Sequence, residues 1–465
     1  MRRVLLCLFI ATSTLMAGCL GGGEGIVSDE RAAPIFDDYV MIDEAGHGDA
    51  REFITIDLRT NETTNTTWAV FNKDYGGNCC EHYIATTIEG DIMNIGGEYP
   101  VYTEDRGHQW TTYTPGIIPD TQCRTFVPTN SGQEGLGEGS IVQATNGDII
   151  SMSWFPYIGA DGKIDKFYAI LYDDSEEEWS WCYNRITEPF YDRSWQVEVV
   201  GPISSSLGSG DWASIVVSNF WHQTQNAGGQ ISVDGLNYYP FQFPNRGGGD
   251  PTIELDLNFT ESDLPAYYDV NKPHKEMRSF PFPSGGLLFP NYYDNGNAAY
   301  MDTTLSWNEL EVQFPSEYCQ IDSTGSIHCM KNTGTDFTHF ISYDGANSWQ
   351  NYTYQMGNVS TSIEEWEFQA NGELDLFVLN IRYQSSEGPD VDMIYHVRGY
   401  SEDMSPDTLT YIGAGDLDST SGAGNDIRFD FASLAILSDG GVVVAFHDST
   451  DVDPLFAVEL ELPQY

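Results

Sequence analysis

The chain has 465 residues, 70 of them acidic and 20 basic, for a formal net charge of −50. Such a charge repels nucleic acid and anionic membranes, and an apolar content of 40% with 27 Tyr, 24 Phe and 11 Trp excludes disorder as the main state. The acids are spread along the whole sequence, so they read as adaptation of an entire surface to salty water rather than as one binding face.

Arg2 and Arg3 precede an apolar run from Val4 to Met16, followed by Ala17-Gly18-Cys19. The run is too short for an ordinary membrane span and has the charge, apolar core and small-residue end of a signal peptide. Leu15-Met16-Ala17-Gly18-Cys19 resembles the lipobox of prokaryotic lipoproteins, with Met16 departing from the usual residue at its place. Arg2-Arg3 also faintly resembles a twin-arginine export signal. The resemblance implies a signal peptide over residues 1–18 and lipid attachment at Cys19, against the alternative of a plain cleaved signal. Residues 19–50, Gly-rich and then acidic, read as a lipidated flexible tether, and residues 51–465 as the folded domain.

Export makes the cysteines legible. Besides Cys7 and Cys19 there are six, Cys79, Cys80, Cys123, Cys182, Cys319 and Cys329, an even number that suggests disulfides. Cys319 and Cys329 flank a strand–turn–strand stretch centred on Thr324 and face each other directly across it, so they are expected to pair. The other four are expected to pair among themselves, with three connectivities open, one of them the adjacent Cys79–Cys80 bridge. Five Asn-x-Ser/Thr sequons start at Asn61, Asn65, Asn258, Asn351 and Asn358 and permit glycosylation where the host has the machinery.

From Glu52 onward the chain repeats a unit, and no long amphipathic helix interrupts it. Its first half is a strand, a Gly turn and a strand, as at Ile88–Ile92, Thr145–Ile149, Pro283–Leu287, Ser323–Ile327, Ala370–Leu374 and Ser438–Val442. Its second half is a strand running into an Asp turn. The clearest copy is Thr103-Glu104-Asp105-Arg106-Gly107-His108-Gln109-Trp110, in the pattern Ser/Thr-x-Asp-x-Gly-x-x-Trp. The Asp can accept hydrogen bonds from its own turn, the Gly can take positive φ, and the Trp can bury against the sheet. Ser342, Asp344 and Trp349 repeat the spacing with Gly shifted by one, and Ser232, Asp234 and Tyr239 repeat it with Tyr at the end. Asp174 with Trp179, and Asp302 with Trp307, keep only the Asp and aromatic positions.

Seven such units, centred near 80–113, 141–182, 212–243, 284–312, 318–354, 366–411 and 430–462, suggest an all-β propeller. Seven blades are expected, the last closed by an N-terminal strand at Phe53–Leu58, with six blades as the alternative if 284–312 is an insertion. The Asp turn resembles the Asp-box, or BNR repeat, of the sialidase-like propeller superfamily. That resemblance implies boxes on the blade rim, as scaffold rather than chemistry. It also implies that a sialidase would carry an arginine triad, a Tyr–Glu pair and an early Arg-Ile-Pro strand. No Arg-Ile-Pro occurs, the nearest stretch being Asn184-Arg185-Ile186-Thr187.

The acidic runs 447–453 and Gly415-Asp416-Leu417-Asp418 have oxygen ligands suited to Ca²⁺, but read better as solvated loops. The histidines, among them His328 and His339, include no His-Glu-x-x-His and read as ordinary strand or loop residues. Aromatic pairs such as Trp179/Trp181, Tyr238/Tyr239 and Tyr292/Tyr293, and the cluster at Phe220–His222, read as blade packing ahead of sugar stacking. No catalytic residue, metal or cofactor is assigned. The expected function is a surface-anchored lipoprotein that binds a protein or glycan and touches the membrane only through its lipid; the alternative is an exo-acting glycoside hydrolase.

Overall fold

The computed structural model describes residues 49–57, 60, 62–72, 83–86, 92–95, 101–104, 111–113, 123, 139–155, 166–185, 192–219, 229–241, 244, 279–282, 284–322, 324–332, 336–355, 361–371, 376–385, 390–399, 406–417, 430–437, 439–447 and 454–459. Among the described residues the regular structure is all strand, and every strand pairing is antiparallel.

Two strands come first, β1 (Asp49–Asp57) and β2 (Thr63–Asn72). A four-stranded sheet then runs in chain order through β3 (Tyr83–Thr86), β4 (Ile92–Ile95), β5 (Val101–Thr103) and β6 (Thr111–Thr112). The second holds β7 (Gly139–Gln143), β8 (Ile149–Phe155), β9 (Lys166–Asp173) and β10 (Glu178–Arg185). The third holds β11 (Asp192–Ser205), β12 (Gly208–Asn219), β13 (Gly229–Ser232) and β14 (Tyr239–Phe241). The fourth holds β15 (Phe280–Pro281), β16 (Leu287–Phe289), β17 (Ala298–Met301) and β18 (Trp307–Leu310). The fifth holds β19 (Tyr318–Ile321), β20 (Ile327–Asn332), β21 (Asp336–Ser342) and β22 (Gln350–Gln355).

The remaining strands are β23 (Thr361–Asn371), β24 (Leu376–Ser385), β25 (Asp390–Gly399), β26 (Pro406–Leu417), β27 (Asp430–Ile436), β28 (Val442–His447) and β29 (Pro454–Glu459). With β1 and β2 they form a nine-stranded sheet in the order β23-β24-β25-β26-β1-β2-β29-β28-β27. It divides into β23–β26 and a set made of β27, β28, β29 and β2, with β1 between them.

Two elements differ from the sequence reading. The strand paired with β29 is β2, through Trp68–Asn72, whereas the stretch around Phe53 belongs to β1, one position further out against β2 and β26. The Thr- and Asn-rich start of β2 carries no apolar alternation, yet its β-branched residues suit a strand and Trp68 buries completely. The third unit begins at Asp192 rather than near 212, because β11 is a 14-residue strand pairing along most of β12.

Successive sheets pack face to face. Ala85 and Met93 of the first meet Ile141 and Ile149 of the second. Met152 and Phe167 of the second meet Val216 and Tyr238 of the third. Val199, Ile215 and Ile231 of the third meet Leu287, Phe289 and Trp307 of the fourth, and Phe280 and Phe314 meet Cys319 and Ile327 of the fifth. Each fully buried side chain of this kind stabilises the packing by about 1.5–3 kcal/mol. The sheets also touch through their first strands, β3 against β7, β7 against β11, β11 against β15 and β15 against β19. Antiparallel four-stranded sheets arranged in this way define an all-β propeller.

Candidate functional site

The Asp turns lie between the third and fourth strands of their sheets. In the third sheet, Asp234 Oδ1 accepts from Ser232 Oγ (2.8 Å) and from the N–H groups of Leu236 (2.9 Å) and Asn237 (2.7 Å), while Oδ2 accepts from Asn237 Nδ2 (2.8 Å). The next residue, Gly235, has φ 70°, and a Cβ there would meet Trp212 at 2.7 Å. In the fifth sheet, Asp344 accepts from Ser342 Oγ (2.8 Å), the Ser348 N–H (2.9 Å) and Ser348 Oγ (2.6 Å). In the fourth, Asp302 Oδ1 accepts from the N–H (2.9 Å) and hydroxyl (2.6 Å) of Thr304 and from the Ser306 N–H (3.1 Å). For Asp302 and Asp344 these bonds outweigh burial and hold the carboxyls below the usual range.

The aromatic position of each turn packs inward. Trp307 is buried between the third and fourth sheets, Trp349 packs edge-on to Phe314 at 5.9 Å, and Trp179 stacks on Tyr113 at 4.5 Å. Two assignments shift by one residue. In the second sheet the turn acceptor is Asp173, which binds the N–H groups of Ser175 (3.0 Å) and Glu176 (3.1 Å), whereas Asp174 gives its own N–H to Asp148 (3.1 Å). Asp173 closes β9 and so reaches over the turn. In the third sheet the buried ring is Tyr238 rather than Tyr239, because the Tyr238 hydroxyl finds an acceptor inside the sheet.

Further buried polar groups sit at junctions between sheets. The Tyr238 hydroxyl donates to Gln196 Oε1 (2.8 Å), which also accepts from Ser214 (3.0 Å), while Gln196 Nε2 donates to the carbonyls of Ser140 (3.2 Å) and Ile150 (3.0 Å). Burial pushes the Tyr238 phenol far upward. Glu198 on β11 accepts from the N–H (2.8 Å) and hydroxyl (2.9 Å) of Thr145 in the second sheet. Burial raises its carboxyl, the Thr145 bonds offset part of that, and nearby Asp148 adds to the rise. Asp148 in turn accepts from Trp212 Nε1 (2.9 Å), a second tie between these sheets.

At the fifth sheet a chain of three ionisable side chains is enclosed. Asp322 Oδ1 accepts from the N–H (2.9 Å) and hydroxyl (2.6 Å) of Thr324 and from the Ser326 N–H (3.0 Å). Its Oδ2 meets His328 Nε2 at 2.8 Å, and His328 Nδ1 meets His339 Nε2 at 3.0 Å. Phe368 of β23 lies against both rings, and Gln320 Nε2 donates to its carbonyl. Burial opposes ionisation of Asp322, but bonds from His328, Thr324 and Ser326 prevail and hold it at about 2. Burial, with His328 alongside, pushes His339 well below the ordinary histidine range. Both histidines were read from sequence as ordinary strand residues; only the Asp-x-Thr-x-Ser pattern shared by 302–306 and 322–326 hints at the turn that anchors them.

Of the other residues singled out from sequence, Cys319 and Cys329 form a disulfide with Cα atoms 4.0 Å apart, at directly opposed positions of β19 and β20. Cys123 pairs with Cys182, one of the connectivities left open. Cys19, Cys79, Cys80, Asp105, Gly107, Trp110, residues 448–453, Asp418 and Phe220–His222 lie outside the described residues; Thr103 is buried at the end of β5. Gly415–Leu417, read as loop, is the end of β26, with Gly415 opposite Asp392 and Asp416 opposite Val391 on β25. Trp181, Tyr238, Tyr292 and Tyr293 are all buried as packing residues. Among the described residues no group of three His, Cys, Asp or Glu is placed to hold a metal ion.

No family model matches the sequence. No curated protein matches it. Solved structures similar to it include the NanB sialidase from Streptococcus pneumoniae, at 12% identity over 86% of this chain and 84% of that one, with a TM-score of 0.24. An α-L-arabinanase from Penicillium chrysogenum is similar at 11% identity over 88% and 98%, with a TM-score of 0.33. The extracellular domain of a one component system from B. thetaiotaomicron is similar at 12% identity over 86% and 46%, with a TM-score of 0.34. At these scores none of the likenesses bears on what this chain binds or does.

Proposed function

We propose that the chain is an exported, lipid-anchored surface protein whose seven-bladed propeller binds a protein or glycan ligand without cleaving it. The observation that carries the non-enzymatic reading is the enclosure of four ionisable side chains among the described residues. Glu198 and Asp322 are 3% exposed and His328 and His339 0%, each between sheets and turned to a structural partner. A general acid or base has to come within hydrogen-bond reach of a substrate, and these do not face solvent. The Asp-turn carboxylates are likewise taken up by their own turns.

Seven blades are supported by the contacts of the first strands, in which β19 meets β23, β23 meets β27 and β27 meets β3. Export is supported by the two disulfides and by the lipobox-like end of the leader at Cys19. The test is binding by the whole anchored protein, presented on vesicles, to a panel of neutral and acidic oligosaccharides and purified surface proteins. Saturable, competable binding of one class is the expected result. Uniformly absent binding on an intact fold would refute the proposal.

A further inference from the structure

We propose that Asn351 carries an N-linked glycan. Asn351-Tyr352-Thr353 is an Asn-x-Thr acceptor sequence, and it lies within β22. Among the described residues that strand is the outermost of its sheet, paired with β21 alone, with Asn351 opposite Phe340 and Thr353 opposite Thr338. The Asn351 side chain is exposed. The two-residue period of a strand sets Asn351 and Thr353 on one face, Asn351 exposed and Thr353 half-buried with its hydroxyl 2.9 Å from that of Thr338.

The other sequons are placed differently. Asn65 is also exposed, but it lies near the start of β2, opposite Ile54 of β1 and short of the Trp68–Asn72 stretch that pairs with β29. Asn61, Asn258 and Asn358 lie outside the described residues. An exported chain passes the compartment where such transfer takes place, and the Cys319–Cys329 bridge of this same sheet fits that route.

In the transfer, Asn351 Nδ2 forms a bond to the anomeric carbon of a lipid-diphosphate-linked oligosaccharide supplied by the host. The bond from that carbon to the diphosphate oxygen breaks, the lipid diphosphate leaves, and the amide nitrogen gives up one proton. No electrons change hands. A glycan here also answers a physical need. Among the described residues no strand pairs with the outer edge of β22, and a bulky hydrophilic group there blocks another chain from adding a strand to it.

The test is mass mapping of the peptide spanning Gln350–Gln355 in protein purified from the cells that make it. The peptide is expected to be heavier by whole sugar residues. Asn351→Gln and Thr353→Ala should lose the added mass and Thr353→Ser should keep it, with circular dichroism unchanged in all three. A bare Asn351 peptide from native folded protein would overturn the proposal, as would added mass that survives Asn351→Gln.

Discussion

His328 and His339 meet nitrogen to nitrogen at 3.0 Å across β20 and β21, with their rings stacked at 5.2 Å between centroids. They are diagonal neighbours on one face, since His328 is opposite Ile341 and His339 opposite Met330. A second proton on His339 would put positive charge beside His328 in a fully buried site.

This junction predicts an acid limb of stability. His339 is held well below its ordinary value of 6.5, so the unfolded chain takes a proton that the folded chain refuses. Its contribution is therefore present above pH 6.5 and is lost as pH falls below it, at about 1.4 kcal/mol per pH unit until the folded value is reached. His339→Gln should flatten the difference in unfolding free energy between pH 6.5 and pH 5. Urea melts of both proteins across that range check it, and parallel pH profiles would count against the junction.

A second limb belongs to Asp322. Its carboxyl is lowered from 3.8 to about 2, so its stabilisation is present above 3.8 and disappears as pH falls through about 2. At neutral pH it amounts to about 2 kcal/mol. Asp322→Asn should lose that much at pH 7 and close the gap with wild type by pH 2. A gap that persists at pH 2 would mean that the side chain acts by shape rather than charge.

The two disulfides should differ in weight. The Cys123–Cys182 bridge closes a sequence separation of 59 and Cys319–Cys329 one of 10. By loop-closure entropy the first contributes about 4 kcal/mol and the second about 3 kcal/mol. Paired Cys→Ser variants should therefore rank in that order in thermal melts; the reverse order would reject loop entropy as their main effect.

Asp234→Ala should cost about 1–3 kcal/mol, because the Leu236 and Asn237 N–H groups lose their acceptor. Asp234→Asn keeps an oxygen in place and should recover part of the loss. A fully stable Asp234→Ala protein that fails to bind ligand would move this turn from scaffold to site.

Much of this architecture was legible because it rests on local chemistry. The hairpin at 145–149 is visible as Asn146-Gly147-Asp148, and Gly147 does take φ 103°. The Cys319–Cys329 pair follows from counting across a turn. What was illegible depends on register and on other sheets. Adjacent Asp173 and Asp174 look alike until the strand end is known, and β2 hides in a Thr/Asn-rich run. The histidine pair needs both the β20–β21 register and Phe368 from a different sheet, which no spacing in the chain reveals.

The lipid anchor has its own test. Wild-type protein should partition with membranes and Cys19→Ala should be released into the soluble fraction. Wild type that is itself soluble and unlipidated would remove the anchor from the account.

The central claim, binding without cleavage, is tested most directly by recovering the ligand. An oligosaccharide or protein retained by the native protein is held on it at saturation for hours and then analysed by mass spectrometry. It is expected to return with its mass unchanged. Release of a monosaccharide or a shortened chain, at a rate that scales with protein concentration, would contradict it and make this propeller a hydrolase.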